Sequence, residues 1–279
     1  MEIKIKTPAK LNLTLEVVNK RSDGFHNIRS IMQTIDLYDY LTFKAEKSDK
    51  TSVNLYGSSQ EIPYNSDNLI SKAAELFFVK TGVCGYKVDV YIEKNIPVAA
   101  GLAGGSSNAA GTLYGLNKIF ETGLSKVELH ELCGRLGSDL NVCLEGGCLL
   151  AAGRGETVEK LPAVKAKVSL IKPENLGISA KEAYTKYSLM KNKPNYDMTS
   201  KMIDAIKIGT DIRQFLYNDL ETAIFDDYKE FQFIKQTYPN AVMSGSGSTY
   251  FMINDNFAAA DGFWVKNDLS FVSDGVSEI

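Results

Sequence analysis

The stretch IPVAAGLAGGSSNAA, residues 96–110, places three glycines and two adjacent serines close together. Glycine loses more backbone entropy on folding than any other residue, so glycines cluster where a turn or a close backbone approach requires them. Alternating apolar residues over 88–92 predict a strand before the stretch, and helical spacing over 107–120 predicts a helix after it. A strand, a glycine loop and a helix N-terminus together present free N–H groups to an anion, usually a phosphate. A purely structural turn is the alternative interpretation.

The glycine loop differs from two well-known phosphate motifs. It lacks the Gly-Lys-Ser/Thr of a Walker A loop, and its G-L-A-G-G spacing departs from the dinucleotide-binding pattern G-x-G-x-x-G. Gly101, Gly104 and Gly105 would let the backbone approach a phosphate closely. We expect Ser106 and Ser107 to cap the following helix and to donate their hydroxyl groups to phosphate or to a metal-bound water.

The composition is that of an ordinary globular protein. The chain has 279 residues, of which 44% are hydrophobic and 23% are charged, and its formal net charge is -3. This balance argues against a nucleic-acid partner, and no apolar run approaches the roughly 18 residues that a membrane helix needs. The N-terminus alternates charged and apolar residues. We therefore expect neither a signal peptide nor a transit peptide, and a bacterial cytoplasmic protein without a membrane partner.

The cysteines offer no sign of a metal site. Cys84, Cys133, Cys143 and Cys148 form no Cys-x-x-Cys pair and have no histidine at ligand spacing. We expect buried free thiols in a reducing cytosol rather than disulfides or a bound metal.

The remaining patterns predict two lobes, each of mixed α+β structure. The pattern of apolar and polar residues changes near residue 155. This change predicts an N-terminal lobe over residues 1–155 and a C-terminal lobe over residues 156–279. The expected elements are a half-buried strand at residues 11–17, more strand within 30–45, a helix at 66–82 capped by Ser66 or Asp67, helices at 125–137 and 219–238, a strand at 167–173 and strands on both sides of a glycine turn within 241–254.

Four motifs in this order resemble one enzyme family. They are PAKLNLTLEV with KRSDGFHNI, the glycine loop, LGSDLNVCLEGGCLLAAGRGE, and MSGSGSTYF near the C-terminus. The chain resembles the 4-diphosphocytidyl-2-C-methyl-D-erythritol kinases, a family of the GHMP small-molecule kinase superfamily. The likeness is strong over residues 1–160, weak over about 185–235, and returns at 240–253. PAKLNL together with DGFH is its most discriminating part.

The resemblance implies a fold, an activity and cofactors. The fold is the two-lobe GHMP kinase fold, in which a ribosomal protein S5 domain 2-like N-terminal lobe joins a ferredoxin-like C-terminal lobe. The activity is ATP- and Mg²⁺-dependent phosphorylation of the 2-hydroxyl group of a cytidine diphosphate-linked methylerythritol, in the non-mevalonate isoprenoid pathway. A small molecule is therefore the expected partner.

The resemblance also assigns roles to individual residues. Asp139 would accept the proton of the acceptor hydroxyl, and Lys10 would keep that carboxylate ionised and orient the hydroxyl. Asn12 would touch the substrate near this hydroxyl. Phe25 and Tyr184 would hold the cytosine ring between them, and His26 would bind the edge of the ring.

Two loops would hold the phosphates. The expected ATP-phosphate site is Pro97, Ala99, Ala100, Gly101, Leu102, Ala103, Gly104, Gly105, Ser106 and Ser107. The second glycine motif is Ser244, Gly245, Ser246 and Gly247. Asn68, Leu69 and Lys94 are the candidates for adenine contacts. No residue is assigned as a direct metal ligand.

Simpler interpretations stand beside these roles. Asp139 fits a helix N-cap as well as a catalytic base, and Lys10 fits an exposed strand position as well as a cleft. A helix start explains the sequence SDNL around Asn68 as well as adenine binding does.

Three departures from the family pattern concern the substrate. Asn141 and Ser248 replace usual prolines, and Ala180 replaces a frequent threonine. They leave two alternatives open. One is a kinase of the same fold for another small alcohol, such as homoserine, a sugar or mevalonate. The other is a catalytically silent nucleotide-binding paralogue.

Overall fold

The computed structural model describes residues 1–191 and 197–279. The strands are β1 (Glu2–Asn12), β2 (Thr14–Lys20), β3 (His26–Lys47), β4 (Ser52–Gly57), β5 (Tyr86–Glu93), β6 (Cys148–Ala152), β7 (Thr157–Lys160), β8 (Lys167–Pro173), β9 (Tyr217–Asn218), β10 (Val242–Met243), β11 (Tyr250–Ile253), β12 (Phe263–Ser270) and β13 (Ser277–Glu278). The helices are α1 (Leu69–Thr81), α2 (Gly104–Ile119), α3 (Lys126–Leu136), α4 (Leu140–Glu145), α5 (Ala180–Leu189), α6 (Met198–Ile208), α7 (Asp219–Ile224) and α8 (Lys229–Thr237). Short 3₁₀ helices lie at Arg213–Phe215 and Phe225–Asp227.

The first sheet is built around β3, whose 22 residues pair with four other strands. β1, β2, β5 and β6 all run antiparallel to it. The register between β1 and β3 shifts between Pro8 and Ala9. Such a bulge changes the direction of the side chains that follow it. Lys10 lies just beyond this shift, on the part of β1 that faces the cleft.

The second sheet is antiparallel, in the order β10-β11-β8-β12. One hydrophobic core lies between the first sheet and the helices α1, α2 and α3, and a second packs the second sheet against α5, α7 and α8. Two sheets, each with its own helices, confirm the expected α+β class.

The two halves of the chain share the first sheet. β7, β9 and β13 follow residue 155 in sequence, yet they pair with β6, β2 and β1 respectively. The division at residue 155 stays a prediction about folding units, since the larger sheet draws strands from both sides of it.

Most elements lie where the periodicity places them. α1 ends at Gly82, whose φ of 72° is left-handed, and α3 begins with a capping box formed by Ser125 and Glu128. The cap of α1 is Asn68, so the expectation of Ser66 or Asp67 is wrong. The expected helix at 219–238 is broken into α7, a 3₁₀ turn and α8.

The strand at residues 11–17 departs from its expected half-burial. Its apolar side chains are buried, but Asn12 and Thr14 are also no more than 1% exposed. The polar face of this strand is covered by the second lobe and not exposed to water. The alternation of apolar and polar residues does not predict this coverage. Among the described residues, no helix has both the length and the apolar character to cross a membrane.

Candidate active site

A cleft of about 940 Å³ opens between the two sheets and is lined from both lobes. It collects many of the residues singled out in the sequence. Those that line it are Lys10, Asn12, Phe25, His26, Ala99, Gly101, Ala103, Asp139, Ala180, Tyr184, Gly245 and Ser246. The other proposed phosphate-loop residues are adjacent in the chain but do not line the cleft: Pro97, Ala100, Leu102, Gly104, Gly105, Ser106, Ser107, Ser244 and Gly247.

Lys10 provides a buried positive charge on the cleft floor. Its side chain is only 3% exposed, so an exposed strand lysine is the wrong interpretation. The ammonium Nζ donates to Asn12 Oδ1 at 2.7 Å and to the carbonyl oxygen of Gly101 at 2.9 Å. Asp139 Oδ2 lies 3.5 Å from the same nitrogen. Lys10 therefore connects the carboxylate to the glycine loop.

Asp139 stands at the N-cap position, directly before α4, but its side chain does not cap the helix. No hydrogen bond runs from its side chain to the first turn of that helix. The carboxylate instead faces Lys10 and the cleft, with 29% of the side chain exposed. The N-cap interpretation of this side chain is therefore wrong, and the carboxylate is accessible to a ligand.

The two glycine loops touch directly at the base of the cleft. A Cβ atom on Gly101 would lie 2.0 Å from the carbonyl oxygen of Ser244, and φ at Gly101 is 75°. The Ser244 hydroxyl donates to the Gly101 carbonyl at 3.1 Å, and Asn218 Nδ2 donates to the Gly245 carbonyl at 2.8 Å. Only glycine fits at position 101, because both the contact and the left-handed backbone exclude a side chain.

The N-terminus of α2 has no side-chain cap. Its N-cap is Ala103, in the left-handed region at φ 58°. Ser107 is fully buried, and its hydroxyl donates to the Pro8 carbonyl at 2.7 Å. The expectation that Ser106 and Ser107 cap this helix is therefore wrong. An uncapped first turn leaves N–H groups and the positive end of the helix dipole for an anion.

Aromatic side chains gather at the other end of the cleft. The rings of His26 and Tyr184 stack with centroids 5.1 Å apart and an angle of 17°. His26 Nε2 lies 2.9 Å from the Ser188 hydroxyl, which donates to the Tyr184 carbonyl. Burial raises the pKa of Tyr184, and the charges of Asp139 and Asp219 raise it further, so this phenol stays neutral.

Phe25 lies apart from that stacked pair, on an exposed turn. It is 52% exposed, and the guanidinium carbon of Arg154 lies 5.1 Å from the centre of its ring. The turn is held by Asp23, which pairs with Arg21 at 2.9 Å and accepts from the Phe25 N–H at 3.1 Å. The structure thus places one face of Phe25 against a cation.

The sequence did not single out several residues that line the cleft. These are Lys20, Asp23, Arg154, Lys181 and Ser188. Lys20 and Asp23 lie within the motif KRSDGFHNI and Arg154 lies in the sequence GRGE, but the resemblance assigns a role to none of them. Their gathering depends on the tertiary fold.

The candidate adenine residues have structural partners. The Asn68 side chain caps α1, accepting from the Ile70 N–H at 2.9 Å. Lys94 pairs with the fully buried Asp39 at 2.8 Å and also donates to the Ile96 carbonyl. Burial lowers the pKa of Lys94, and Asp39 opposes that shift. These contacts support the helix-start interpretation of SDNL, and adenine binding by these residues stays a prediction.

The three departures from the family pattern are accommodated locally. Asn141 Nδ2 donates to the Glu156 carbonyl at 2.7 Å, tying α4 to the turn that carries Arg154. Ser248 is fully buried and donates to the Leu176 carbonyl. Ala180 begins α5, and the preceding Ser179 caps that helix by accepting from the Glu182 N–H.

The cysteines and potential metal ligands are dispersed. Cys133, Cys143 and Cys148 are buried free thiols, whereas Cys84 is exposed, which corrects the expectation of burial for that residue. Burial raises the pKa of each of the three buried thiols to about 12, so they are protonated at neutral pH. In the part of the chain that the structure describes, no group of three or more histidine, cysteine or acidic side chains could hold a metal.

Comparison with known proteins identifies the family. Residues 68–148 match the family described as GHMP kinases N terminal domain. A 4-diphosphocytidyl-2-C-methyl-D-erythritol kinase from Caldicellulosiruptor saccharolyticus is 42% identical over 266 residues, covering 90% of this chain and 88% of that relative. One of the same name from Clostridioides difficile is 38% identical, covering 91% and 87%. The chain belongs to the 4-diphosphocytidyl-2-C-methyl-D-erythritol kinase family. The likeness to this family expected from the four motifs is confirmed.

Solved structures place this family member among kinases of the same fold. A crystal structure of 4-(cytidine 5'-diphospho)-2C-methyl-D-erythritol kinase superposes with a TM-score of 0.75 at 26% identity, covering 98% of this chain and all of the other. Homoserine kinase from Cytophaga hutchinsonii gives 0.78 at 16% identity, with 100% and 97% covered, and shows the fold alone. The two-lobe GHMP kinase fold is thereby confirmed, and this family member is an ATP-dependent kinase of a small molecule.

Proposed function

We propose that this kinase transfers the γ-phosphoryl group of ATP to the 2-hydroxyl of 4-diphosphocytidyl-2-C-methyl-D-erythritol, a step of the methylerythritol phosphate route to isoprenoids. The observation that carries the proposal is the pair Lys10–Asp139, 3.5 Å apart, at the junction of two glycine loops and in the same cleft as Phe25, His26 and Tyr184. The names of the relatives support the choice of acceptor.

The phosphate side of the cleft would bind ATP through backbone groups. The first turn of α2 lacks a side-chain cap. Outside its chain neighbours and the backbone of its own helix, the nearest atom to a Cβ on the exposed Gly105 would be Leu69 Cδ1, at 3.9 Å. The protein itself does not require glycine there. A phosphate approaching the backbone N–H groups does require it, since a methyl group would block the approach.

The acceptor side would use Asp139 and Lys10. The substrate oxygen attacks the γ-phosphorus, the bond between that phosphorus and the ADP oxygen breaks, and the hydroxyl proton passes to the Asp139 carboxylate. Lys10 holds the carboxylate next to the Gly101 carbonyl and provides fixed positive charge where negative charge develops. Asn12 Oδ1 accepts a hydrogen bond from the same ammonium at 2.7 Å.

The aromatic end would recognise the base. Cytosine presents two faces and a polar edge, and Phe25 and Tyr184 offer the ring surfaces while His26 offers ring nitrogens. A base does not fit between His26 and Tyr184, because their centroids are only 5.1 Å apart and two stacking distances need about 7 Å. The base site would therefore lie on the face of Tyr184 that is directed away from His26.

Magnesium would enter with ATP. Mg²⁺ takes oxygen ligands and is usually held by one or two carboxylates together with substrate phosphates. The candidate protein oxygens are the Asp139 carboxylate, which lines the cleft, and the hydroxyl of Ser106 in the first turn of α2. When bound, the ion would offset the negative charge of the phosphate oxygens.

The expected cellular setting is the bacterial cytoplasm, with no nucleic-acid or membrane partner. Three buried free thiols suit a reducing compartment, and a net charge of -3 gives no general attraction for polyanions.

The test is product identification. The protein is incubated with ATP, Mg²⁺ and 4-diphosphocytidyl-2-C-methyl-D-erythritol, and the products are analysed by phosphorus NMR and mass spectrometry. We expect a new phosphomonoester on the erythritol. Asp139→Asn keeps the size of the side chain and should lower kcat by about 100-fold or more, because a positioned general base contributes that much.

Asp204→Asn is the matched control, because this exposed aspartate on α6 loses the same charge outside the cleft. It should leave kcat unchanged. Product on homoserine or a sugar alone would overturn the proposed acceptor. ATP binding without any product would instead indicate a silent paralogue, and a loss of less than tenfold in Asp139→Asn would contradict the role of Asp139.

A further inference from the structure

We propose that Ser30 is a positioning residue for phosphoryl transfer, because its hydroxyl sets the orientation of the Asn12 amide and thereby the orientation of the Lys10 ammonium. The inference rests on the proposed function for the role of Lys10 beside Asp139. Ser30 lies on β3, is fully buried and does not line the cleft. It is linked to the cleft residue Asn12 by a hydrogen bond.

The Ser30 hydroxyl has a single proton, and that proton has a fixed acceptor. Oγ donates to the Thr14 carbonyl at 2.5 Å. Toward its other neighbour the hydroxyl can therefore only accept. That neighbour is Asn12 Nδ2, which donates to it at 2.8 Å.

Because the Ser30 hydroxyl can only accept from Asn12, it determines which end of the Asn12 amide faces Lys10. With Nδ2 directed to Ser30, Oδ1 is directed to Lys10 Nζ and accepts at 2.7 Å. A rotated amide would set N–H groups against an ammonium that carries only donors. Asn12 is 1% exposed and Lys10 is 3% exposed, so water has little access to these groups and would compensate poorly for the mismatch. The serine thus excludes the rotated amide.

The amide in turn limits the directions of the Lys10 N–H groups. An ammonium has three, and three acceptors surround it: Asn12 Oδ1, the Gly101 carbonyl oxygen and Asp139 Oδ2. With the first two satisfied at 2.7 and 2.9 Å, the third N–H is left for the carboxylate at 3.5 Å. Loss of the Asn12 acceptor would free the ammonium to turn from this arrangement.

The relay is the chain of hydrogen bonds from the Thr14 carbonyl through Ser30 and Asn12 to Lys10. Thr14, at its start, is held in place by hydrogen bonds of its own. The Thr14 hydroxyl accepts from the Ile31 N–H at 3.0 Å and from the Thr199 hydroxyl at 2.9 Å. Thr14 and Thr199 are fully buried. Strand β2 therefore holds the acceptor of Ser30 in a place anchored to both β3 and α6.

The test is a double-mutant cycle on kcat with the cytidine substrate. Ser30→Ala should lower kcat by about tenfold or more and leave both KM values within about threefold, since it removes a support of a charged hydrogen bond and no ligand contact. Ser30→Thr, which keeps the hydroxyl, should restore most of the rate. On an Asn12→Ala background, Ser30→Ala should have no further effect, because the residue on which it acts is gone.

Ser169→Ala is the matched control. Ser169 is also a buried strand serine with one side-chain partner, Asn256 Oδ1 at 2.8 Å, but it lies on β8 away from the cleft. Both serine variants should lower the melting temperature, since each loses a buried hydrogen bond, but Ser169→Ala should leave kcat unchanged. Equal kcat losses in the two variants, multiplied losses in the Ser30/Asn12 double variant, or unchanged kcat in Ser30→Ala would each overturn the proposal.

A second measurement separates this inference from the proposed function. NMR of protein labelled with ¹⁵N in asparagine follows hydrogen exchange of the Asn12 side-chain amide without any turnover. We expect slow exchange in the wild type and in Ser30→Thr, and at least tenfold faster exchange in Ser30→Ala. Equal exchange in all three proteins would overturn the relay even if the wild type phosphorylates another acceptor. A wild type that is inactive with the cytidine substrate but shows the expected exchange would contradict the proposed function alone.

Discussion

Lys10 shows how a single side chain acquires a role that its sequence position leaves open. On a strand, the alternation of side chains says only that Lys10 and Asn12 share a face. In the folded protein the second lobe covers that face. The Lys10 side chain is then only 3% exposed, and three oxygen acceptors surround its ammonium group. A buried charge is retained at such a position only when it is paired and hydrogen-bonded, as this one is.

Phe25 carries the first prediction at the scale of one residue. Phe25→Ala should raise KM for the cytidine substrate roughly 5- to 150-fold, because stacking of a base on an aromatic ring contributes about 1–3 kcal/mol. KM for ATP should not change. Steady-state kinetics with each substrate varied in turn would measure both values.

Two control variants test whether the ring itself matters. Phe25→Tyr keeps the stacking surface and should stay within about threefold of the wild type. Phe233→Ala removes another exposed aromatic, on α8, and should leave both KM values unchanged. An unchanged KM in Phe25→Ala would show that the base does not stack on this turn.

Among the elements, α2 is specialised at its N-terminus. It begins after Ala103, whose backbone is left-handed, and no side chain caps it. The loop before it contacts the second glycine loop where Gly101 approaches Ser244. A helix end without a cap is normally satisfied by water, by side chains or by a ligand. The proposed phosphate site gives these N–H groups their partner.

The second prediction compares two glycines in helices. Gly105→Ala places a methyl group 3.9 Å from Leu69 Cδ1, the nearest atom outside its chain neighbours and the backbone of α2, so the free energy of unfolding should not fall. KM for ATP should nevertheless rise by about tenfold or more, since the methyl group stands where the phosphate would approach. Thermal unfolding together with ATP kinetics would separate the two effects.

Gly134→Ala serves as the matched substitution on α3. Its nearest neighbour would also lie 3.9 Å away, at Asn141 Nδ2. The variant should gain about 0.5–1 kcal/mol of stability, as alanine does over glycine inside a helix, with KM for ATP unchanged. The same KM in both variants would argue against a phosphate at the first turn of α2.

At the scale of the molecule, a carboxylate ties several elements together behind the active site. Glu145, at the end of α4, pairs with Lys126 and His130 of α3 and with Lys160 of β7. Burial alone would raise its pKa, but hydrogen bonds from these three side chains outweigh burial and lower the pKa from 4.5 to about 2. The cluster holds α4, and with it Asp139 at the start of this helix, against the rest of the N-terminal lobe.

The third prediction is a pH dependence of stability. A folded-state pKa below the ordinary value means that the contribution of Glu145 is present above pH 4.5 and is lost as the pH falls toward about 2. Glu145→Gln should therefore cost on the order of 1–2 kcal/mol at pH 7, discounted for partial exposure, and almost nothing near pH 2. Urea unfolding at both pH values would measure the difference.

An exposed glutamate on α3 supplies the comparison. Glu131→Gln removes the same charge and should change stability little at either pH. A constant penalty for Glu145→Gln across the pH range would show that packing of the side chain, and not its charge, holds α4.

The amino-acid sequence by itself determined the α+β class, most helices and strands, the glycine loop and the family. These follow from periodicity, capping residues and contiguous motifs, which are local properties of a chain. The burial of Lys10 and Asn12, the release of Asp139 from its helix, the approach of Gly101 to Ser244 and the relay through Ser30 were decided only by tertiary structure. These features depend on contacts between residues that are far apart in the chain. Which partners a side chain finds is decided by the surface that the second lobe covers, and local sequence patterns do not specify that surface.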